Sequence, residues 1–153
     1  MESFEEIKRS IFPKELQEDA PEALKDTIMI IDDNVDIVEA LTSLLRPHYR
    51  VISSLSYEDT IKKLSVNARL VLLDIKMASK DGVEVFKLLK EQNEKLPIIF
   101  HSAYPGSSER AAEVEQLNHN GYLTKGEYNT PGLLSKITAA LGQSVAAEPA
   151  RLG

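Results

Sequence analysis

Short apolar runs alternate with amphipathic segments between residues 27 and 141. The apolar or mixed runs predict five strands, and the segments between them, whose apolar residues recur at helical spacing, predict five helices. Strict alternation of this kind is typical of parallel strands joined by helical crossovers. The sequence therefore predicts a doubly wound, flavodoxin-like α/β fold with a five-stranded parallel sheet and helices on both of its faces.

The polarity of the runs predicts the strand order. Three runs are continuously apolar, as expected of strands covered on both faces, namely Ile28–Ile31, Leu70–Leu73 and Ile98–Phe100. The runs Arg50–Ser53 and Gly121–Thr124 are mixed. We expect the mixed pair to form the edges, which suits the order 2-1-3-4-5 with a switch point beside the first strand.

The predicted helices carry apolar faces that should pack on the sheet. These faces are Val38, Leu41 and Leu45 in the first helix, Val83, Phe86 and Leu89 in the third, and Leu134, Ile137 and Leu141 in the fifth. The second helix is predicted to be short and polar, near Tyr57–Leu64. The fourth, within residues 107–117, offers only Ala111, Val114 and Leu117, so we expect it to be the loosest element.

Length and composition predict one folded domain with two extensions. The chain has 153 residues, of which 42% are hydrophobic, and it contains no cysteine, which excludes disulfides and thiolate chemistry. Residues 1–26 hold eight acidic and four basic residues and are expected to be helical in pieces, since Ser3 and Glu6 fit a capping box. Residues 27–141 form the predicted domain, and residues 142–153 the predicted flexible tail.

Charge and hydropathy limit the cellular location and the classes of partner that we expect for this chain. The formal net charge is −6 and no basic face is evident, which argues against direct contact with nucleic acid. No segment has the length of a membrane span or the pattern of a signal peptide, so we expect no membrane contact and a cytoplasmic location.

Five polar residues stand where predicted strands end: Asp32, Asp33, Asp74, Ser102 and Lys125. Because the carboxyl ends of parallel strands lie along one edge of a sheet, these side chains should share a pocket. Carboxylate oxygens suit Mg²⁺, and a hydroxyl and an ammonium can neutralise the charge of a transferring phosphoryl group. The pattern predicts a site for a divalent cation and a phosphoryl group.

Each of these residues also has a simpler interpretation. Helix capping would explain one acid beside Asn34. Two adjacent carboxylates repel each other, which is tolerable mainly if a cation lies between them or if one of them is protonated, and we favour the cation. Asp74 alone could be a solvent-facing strand end, Ser102 a turn residue and Lys125 a surface lysine. The remaining candidates, His48, His101 and His119, lack metal-like spacing and are expected to be surface or hydrogen-bonded histidines.

Taken together, these motifs resemble the receiver domain of two-component response regulators over roughly residues 27–141. The segments that carry the resemblance are IIDDN, LLDIKMASKDG, FHSA and GYLTKG. The resemblance implies that Asp74 accepts a phosphoryl group, and that Asp33, Asp74 and the main-chain carbonyl of Lys76 hold Mg²⁺, with Asp32 acting through water. It also implies that Ser102 and Lys125 bind the phosphoryl oxygens and that Tyr122 turns inward as the switch aromatic.

The same resemblance implies the partners. A histidine kinase or a histidine phosphotransfer protein would supply the phosphoryl group, and the face formed by the fourth helix, fifth strand and fifth helix would contact a downstream protein. We expect a stand-alone switch of a phosphorelay rather than a conventional turnover enzyme. The N-terminal extension is expected to add a dimer or partner surface.

Three departures from the family pattern keep alternatives open. Ala78 replaces the usual proline of the loop after the phosphoacceptor, Lys76 lies where it could overhang the site, and Gly126 replaces a proline that follows the lysine through a cis bond. A cis bond without proline costs about 3 kcal/mol, so we expect a trans bond or a rearranged loop. The alternative is a pseudo-receiver that binds its partner without phosphate; an aspartyl phosphatase is disfavoured because the acids are contiguous rather than spaced DxD.

Overall fold

The computed structural model describes residues 25–78, 80–103 and 109–146. Five parallel strands form one sheet in the order β2-β1-β3-β4-β5. The strands are β1 (Thr27–Ile31), β2 (Arg50–Ser54), β3 (Leu70–Leu73), β4 (Ile98–Ser102) and β5 (Gly121–Thr124). The helices of the described residues are α1 (Val35–Leu45), α2 (Tyr57–Lys62), α3 (Gly82–Gln92), α4 (Glu109–Glu115) and α5 (Thr130–Ala146). The predicted fold class, strand order and edge strands are confirmed.

Two hydrophobic layers enclose the sheet. On one face, α1 and α5 pack over a cluster that includes Ile28, Ile30, Leu70, Leu72 and Ile99. On the other face, residues of α2, α3 and α4 pack over a cluster that includes Met29, Ile31, Val71, Leu73 and Phe100. Successive residues of each central strand alternate between the two clusters, because strand side chains point to opposite faces. This is why the central strands are apolar at every position.

The structure confirms the predicted face of α1 and shifts two others slightly. In α3, Phe86 and Leu89 are buried as predicted, together with Gly82 and Val85, whereas Val83 is half-buried and packs against the same cluster. In α5 the buried positions are Leu133, Ile137 and Ala140, while Leu134 and Leu141 lie at the margin of the same cluster. In both helices two neighbouring apolar stripes are available, and the rotation of the helix against the twisted sheet selects between them.

Two predicted boundaries are also corrected. The second helix ends at Lys62, and Leu64 lies in the turn that follows. Helix α5 continues through Ala146, so residues 142–146 of the predicted tail are helical. Gly142 weakens a helix by only about 1 kcal/mol relative to alanine, which the surrounding turns can tolerate. Residues 147–153 lie outside the described residues.

The start of the folded domain lies slightly earlier than predicted. Asp26 is only 5% exposed, its carbonyl accepts a hydrogen bond from the amide of Arg50, and its carboxylate is 3.4 Å from the guanidinium of Arg69. Lys25 donates to the carbonyl of Pro47, in the turn that follows α1. Residues 25 and 26 therefore belong to the domain. The predictions for residues 1–24, including the capping box and the dimer surface, lie outside the described residues.

Candidate cation and phosphoryl site

Asp32 and Asp33 directly follow β1, and the next residue, Asn34, caps α1. The side chain of Asn34 accepts hydrogen bonds from the amides of Asp36 and Ile37, so Asn34 is the N-cap. Asp32 is almost fully buried and accepts a bond from the amide of Asn34, whereas Asp33 is exposed. Helix capping therefore does not account for the two carboxylates.

Asp32, Asp33 and Asp74 form one cluster at the carboxyl edge of the sheet. Each offers a carboxylate oxygen, and these oxygens lie within 4.8 Å of one another. The register of β1 with β3 brings them together, because Ile31 pairs with Leu73 and the acids follow those two residues. The predicted convergence of the three acids is what the structure has.

Lys125 supplies the counter-charge. Its ammonium lies 2.9 Å from Oδ2 of Asp32 and 3.4 Å from Oδ1 of Asp74. Burial alone would lower the pKa of Lys125, but the two carboxylates outweigh it and the pKa is raised. Lys125 follows β5, so it reaches across the end of β4 to contact acids that follow β1 and β3.

The surroundings of Asp74 strongly perturb its pKa. Burial, together with repulsion from Asp32, raises its pKa to about 6, although the nearby Lys125 acts in the opposite direction. It is 5% exposed, belongs to the cluster of three carboxylates and lies 3.4 Å from the ammonium. A carboxylate in this position gains from any further positive charge that enters the cluster.

The loop between β3 and α3 closes one side of the cluster. The amide of Ala78 donates to Oδ2 of Asp33 at 2.8 Å, a bond that a proline at this position could not make. Lys76 and Asp81 form an isolated antiparallel bridge, and Asp81 caps α3 through the amide of Val83. A Cβ on Gly82 would lie 2.1 Å from the carbonyl oxygen of Asp74, so only glycine permits this close return of the chain.

The other predicted site residues occupy the neighbouring strands. Ser102 is buried at the end of β4, and its carbonyl accepts a bond from the amide of Lys125 at 2.7 Å. Tyr122 is half-buried on β5 and packs against the cluster that contains Phe100. The Lys76 side chain is exposed. The roles of these residues in binding or switching stay predictions.

The peptide bond after Lys125 is trans, since the described residues contain no cis peptide bond. Gly126 has a φ of +80°, in the region that favours glycine, and a Cβ there would meet nothing within 4 Å. This agrees with the expectation drawn from the absence of proline.

Sequence reasoning missed a hydrogen-bonded pair beside the site, formed by a buried histidine and a half-buried tyrosine. Nε2 of His101 lies 2.8 Å from the hydroxyl of Tyr128, and the two rings meet edge-on with centroids 5.5 Å apart. Burial, followed by the charge of Lys125, lowers the pKa of His101 to about 4. The only available signal was that His101 directly precedes Ser102 in an otherwise apolar strand.

The donor set suits a hard divalent cation. Oδ2 of Asp32 is buried, and within the part of the chain that the structure describes its one contact of this kind is the ion pair with Lys125. Three carboxylates around one point exceed the charge that one lysine can balance, and Mg²⁺ is bound by few carboxylates together with waters and phosphate oxygens. Asp32, Asp33 and Asp74 therefore fit such an ion.

Comparison with known proteins points to one family. A family model described as response regulator receiver domain matches residues 28–138. PhoP, an alkaline phosphatase synthesis transcriptional regulatory protein of Bacillus subtilis, is 30% identical over 124 residues, which are 80% of this chain and 51% of that protein. CssR, a transcriptional regulatory protein of the same species, is 31% identical over 65% of this chain and 44% of its own length. This chain spans about half the length of these curated relatives.

Solved structures agree on the fold. A CheY-like receiver domain protein from Methanospirillum hungatei superposes with a TM-score of 0.73 at 22% identity, covering 80% of this chain and 98% of that one. TrrA, a response regulator of Thermotoga maritima solved in complex with Mg²⁺-BeF, gives a TM-score of 0.66 at 27% identity, covering 75% of this chain and 98% of that one.

Across the described segments, none of the helices has the length and apolar character needed to cross a bilayer.

Proposed function

This chain belongs to the response regulator receiver domain family, and we propose that it acts as a phosphorylation-dependent switch in which Asp74 accepts the phosphoryl group. The observation that carries the proposal is the meeting of Asp74, two further carboxylates and the Lys125 ammonium in one pocket. Asp32 and Asp74 both follow an interior strand and lie against Lys125, and we assign the acceptor role to Asp74 because the family motif LLDIKMASKDG has the phosphoacceptor at this position.

The proposed reaction transfers a phosphoryl group from a phosphohistidine. An oxygen of the Asp74 carboxylate forms a bond to phosphorus as the bond between phosphorus and the donor imidazole nitrogen breaks, and that nitrogen takes up a proton from solvent. With a pKa of about 6, Asp74 is mostly ionised at pH 7 and so is available as the nucleophile. Lys125 and Ser102 would then bind the new phosphoryl oxygens.

We propose that Asp33, Asp74 and the main-chain carbonyl of Lys76 hold Mg²⁺, with Asp32 assisting through water. The ion would supply positive charge that offsets the negative charge of the phosphoryl group beside three carboxylates. Receiver domains generally bind Mg²⁺ in an acidic pocket, and the cluster of three carboxylates around a single ammonium supports the same use here. The 27%-identical TrrA structure is a complex with Mg²⁺-BeF, which supports the assignment by similarity.

The switch is proposed to run through β4 and β5. When Ser102 moves toward a phosphoryl group, the strand end that carries it moves too, and Tyr122 on the neighbouring strand is free to take a more buried position. The face of α4, β5 and α5 would thereby change for a downstream protein, as a new charge biases an element with two arrangements. The short α4, in which Ala111 and Val114 are buried, offers a small apolar contact area, which favours such a response.

The proposed donor is a histidine kinase or a histidine phosphotransfer protein, which implies a cytoplasmic location. The curated relatives are named as transcriptional regulatory proteins, and the similarity of this chain to them and to the receiver-domain family supports a role in two-component signalling. The downstream target of this chain is proposed to be a protein rather than DNA. We also propose that residues 1–24 contribute to association with a partner or a second copy.

A single labelling experiment tests the function. Incubation with Mg²⁺ and acetyl phosphate should add one phosphoryl group that hydroxylamine removes, as expected of an acyl phosphate. Asp74→Asn should abolish the label, while Asp36→Asn, an exposed change on α1, should leave it intact. An unlabelled wild-type protein would reject the proposal and favour the phosphate-independent pseudo-receiver, and equal labelling of Asp74→Asn would reject Asp74 as the acceptor.

A further inference from the structure

The pair of His101 and Tyr128 joins the strand end to the loop that carries Lys125. His101 is 3% exposed and lies on β4, one residue before Ser102, whereas Tyr128 lies in the loop between β5 and α5. Their polar atoms are 2.8 Å apart, and the Tyr128 ring packs on the cluster formed with α1 and α5. The contact therefore spans 27 residues of sequence.

The loop between Lys125 and Tyr128 has few other attachments. At its start, the amide of Lys125 donates to the carbonyl of Ser102, and the amide of Glu127 donates to the carbonyl of Thr124. Gly126 has no side chain to pack and a Cβ there would meet open space, and Glu127 is exposed. The next side chain with a described buried contact is Tyr128. Consecutive residues of β4 thus hold the two ends of this short segment.

Both members of the pair lie within the electrostatic reach of Lys125. Burial raises the pKa of Tyr128, while the charge of Lys125 lowers it; burial and then the same charge lower the pKa of His101. At pH 7 both rings are therefore neutral, so the hydrogen bond can form beside the ammonium without charge repulsion. A neutral anchor leaves Lys125 to the carboxylates of Asp32 and Asp74.

We propose that His101 and Tyr128 are positioning residues for Lys125: their hydrogen bond holds the loop so that the ammonium stays over the Asp32 and Asp74 carboxylates. In this chain the loop has glycine after the lysine, and the pair supplies the restraint that the glycine does not. The inference rests on the proposed function, because the consequence measured below is the binding of a phosphoryl mimic by Lys125.

The test compares three variants with the wild-type protein. Tyr128→Phe and His101→Leu each remove the hydrogen bond, and His101→Gln keeps an amide near the position of Nε2. Affinity for beryllofluoride in saturating Mg²⁺, measured by NMR titration, should fall about threefold to tenfold in the first two variants, as expected for one neutral hydrogen bond. His101→Gln should retain most of the affinity. Mg²⁺ affinity, which depends on the acids, should change less than twofold in all three.

A spectroscopic signature distinguishes positioning from general stability. If the ammonium is held, the two Cε protons of Lys125 should be inequivalent in the wild-type protein and should average together in Tyr128→Phe. The matched control is Tyr49→Phe, which removes the hydroxyl of a buried tyrosine in the same cluster, one that bonds Thr138. This control should keep both the inequivalence and the beryllofluoride affinity.

The outcomes separate the two proposals. Averaged Lys125 protons in the wild-type protein, unchanged affinity in Tyr128→Phe, or an equal loss in Tyr49→Phe would each overturn the positioning role. A loss in His101→Gln as large as in His101→Leu would also overturn it, since the retained amide should rescue the bond. A wild-type protein that binds Mg²⁺ but not beryllofluoride would instead reject the proposed function.

Discussion

Replacing Asp74 by asparagine should stabilise the Mg²⁺-free protein at neutral pH. The folded protein raises the pKa of Asp74 from an ordinary 3.8 to about 6, so between these values the folded state binds more protons than the unfolded chain. Stability therefore falls as the pH rises through this window, and the penalty is complete above it. At 1.36 kcal/mol per pKa unit the penalty is about 3 kcal/mol, and solvent near the exposed Asp33 reduces it, so we expect a gain of about 1–3 kcal/mol.

The assay is guanidinium unfolding of the wild-type protein and Asp74→Asn in EDTA, at pH 7.5 and pH 4. The variant should gain about 1–3 kcal/mol at pH 7.5 and almost nothing at pH 4, where Asp74 is protonated in the wild-type protein. His101 acts on both proteins alike, so its contribution cancels in the difference. The control Glu39→Gln, an exposed change on α1, should show no such gain. Equal stability at pH 7.5, or the same gain at both pH values, would refute the reasoning.

Three further predictions follow from other contacts. Mg²⁺ at a hundredfold excess over its Kd should raise the unfolding free energy by about 2.7 kcal/mol, and Asp33→Asn should remove most of this gain. An undiminished gain in Asp33→Asn would exclude Asp33 as a ligand. Gly82→Ala should lower the free energy of unfolding by more than about 3 kcal/mol because its Cβ would overlap the carbonyl of Asp74, whereas Gly142→Ala, in open space within α5, should raise it by about 0.5–1 kcal/mol. Denaturation midpoints check both changes, and a neutral Gly82→Ala would contradict the overlap. Because its pKa is lowered to about 4, folded His101 binds fewer protons than in the unfolded chain, so its contribution to stability is lost as the pH falls from 6.5 to 4. His101→Gln should flatten this pH dependence of the unfolding free energy, and an NMR titration showing that His101 titrates near pH 6.5 would contradict the prediction.

The fold could be predicted from sequence because the polarity of each strand indicates whether one or both of its faces are buried. Continuous apolar runs such as Leu70–Leu73 need cover on both faces, and mixed runs such as Arg50–Ser54 do not, so the pattern alone separates the centre of the sheet from its edges. Once the strands are parallel, residues that follow them must meet at one edge. The meeting of Asp32, Asp74 and Lys125 was predictable for that reason.

Other features depend on packing that no local pattern encodes. Val83 and Val85 are equally apolar as residues, and only contact with the sheet decides which of them is the more buried. The bond from the amide of Ala78 to Asp33 depends on how the loop after β3 folds back. His101 and Tyr128 are separated by 27 residues, and each has an ordinary neighbourhood in the sequence.

The end of β4 places neighbouring residues on opposite sides of the sheet. Phe100 belongs to the layer beneath α3 and α4, whereas His101 contacts Tyr128 in the layer beneath α5. Because His101 and Ser102 share a peptide bond, the proposed movement of Ser102 toward a phosphoryl group would also shift His101, which faces the other layer. If Asp74 is phosphorylated as we propose, a partner that binds either layer more tightly in its shifted form also favours the phosphorylated state, because binding free energies are reciprocal.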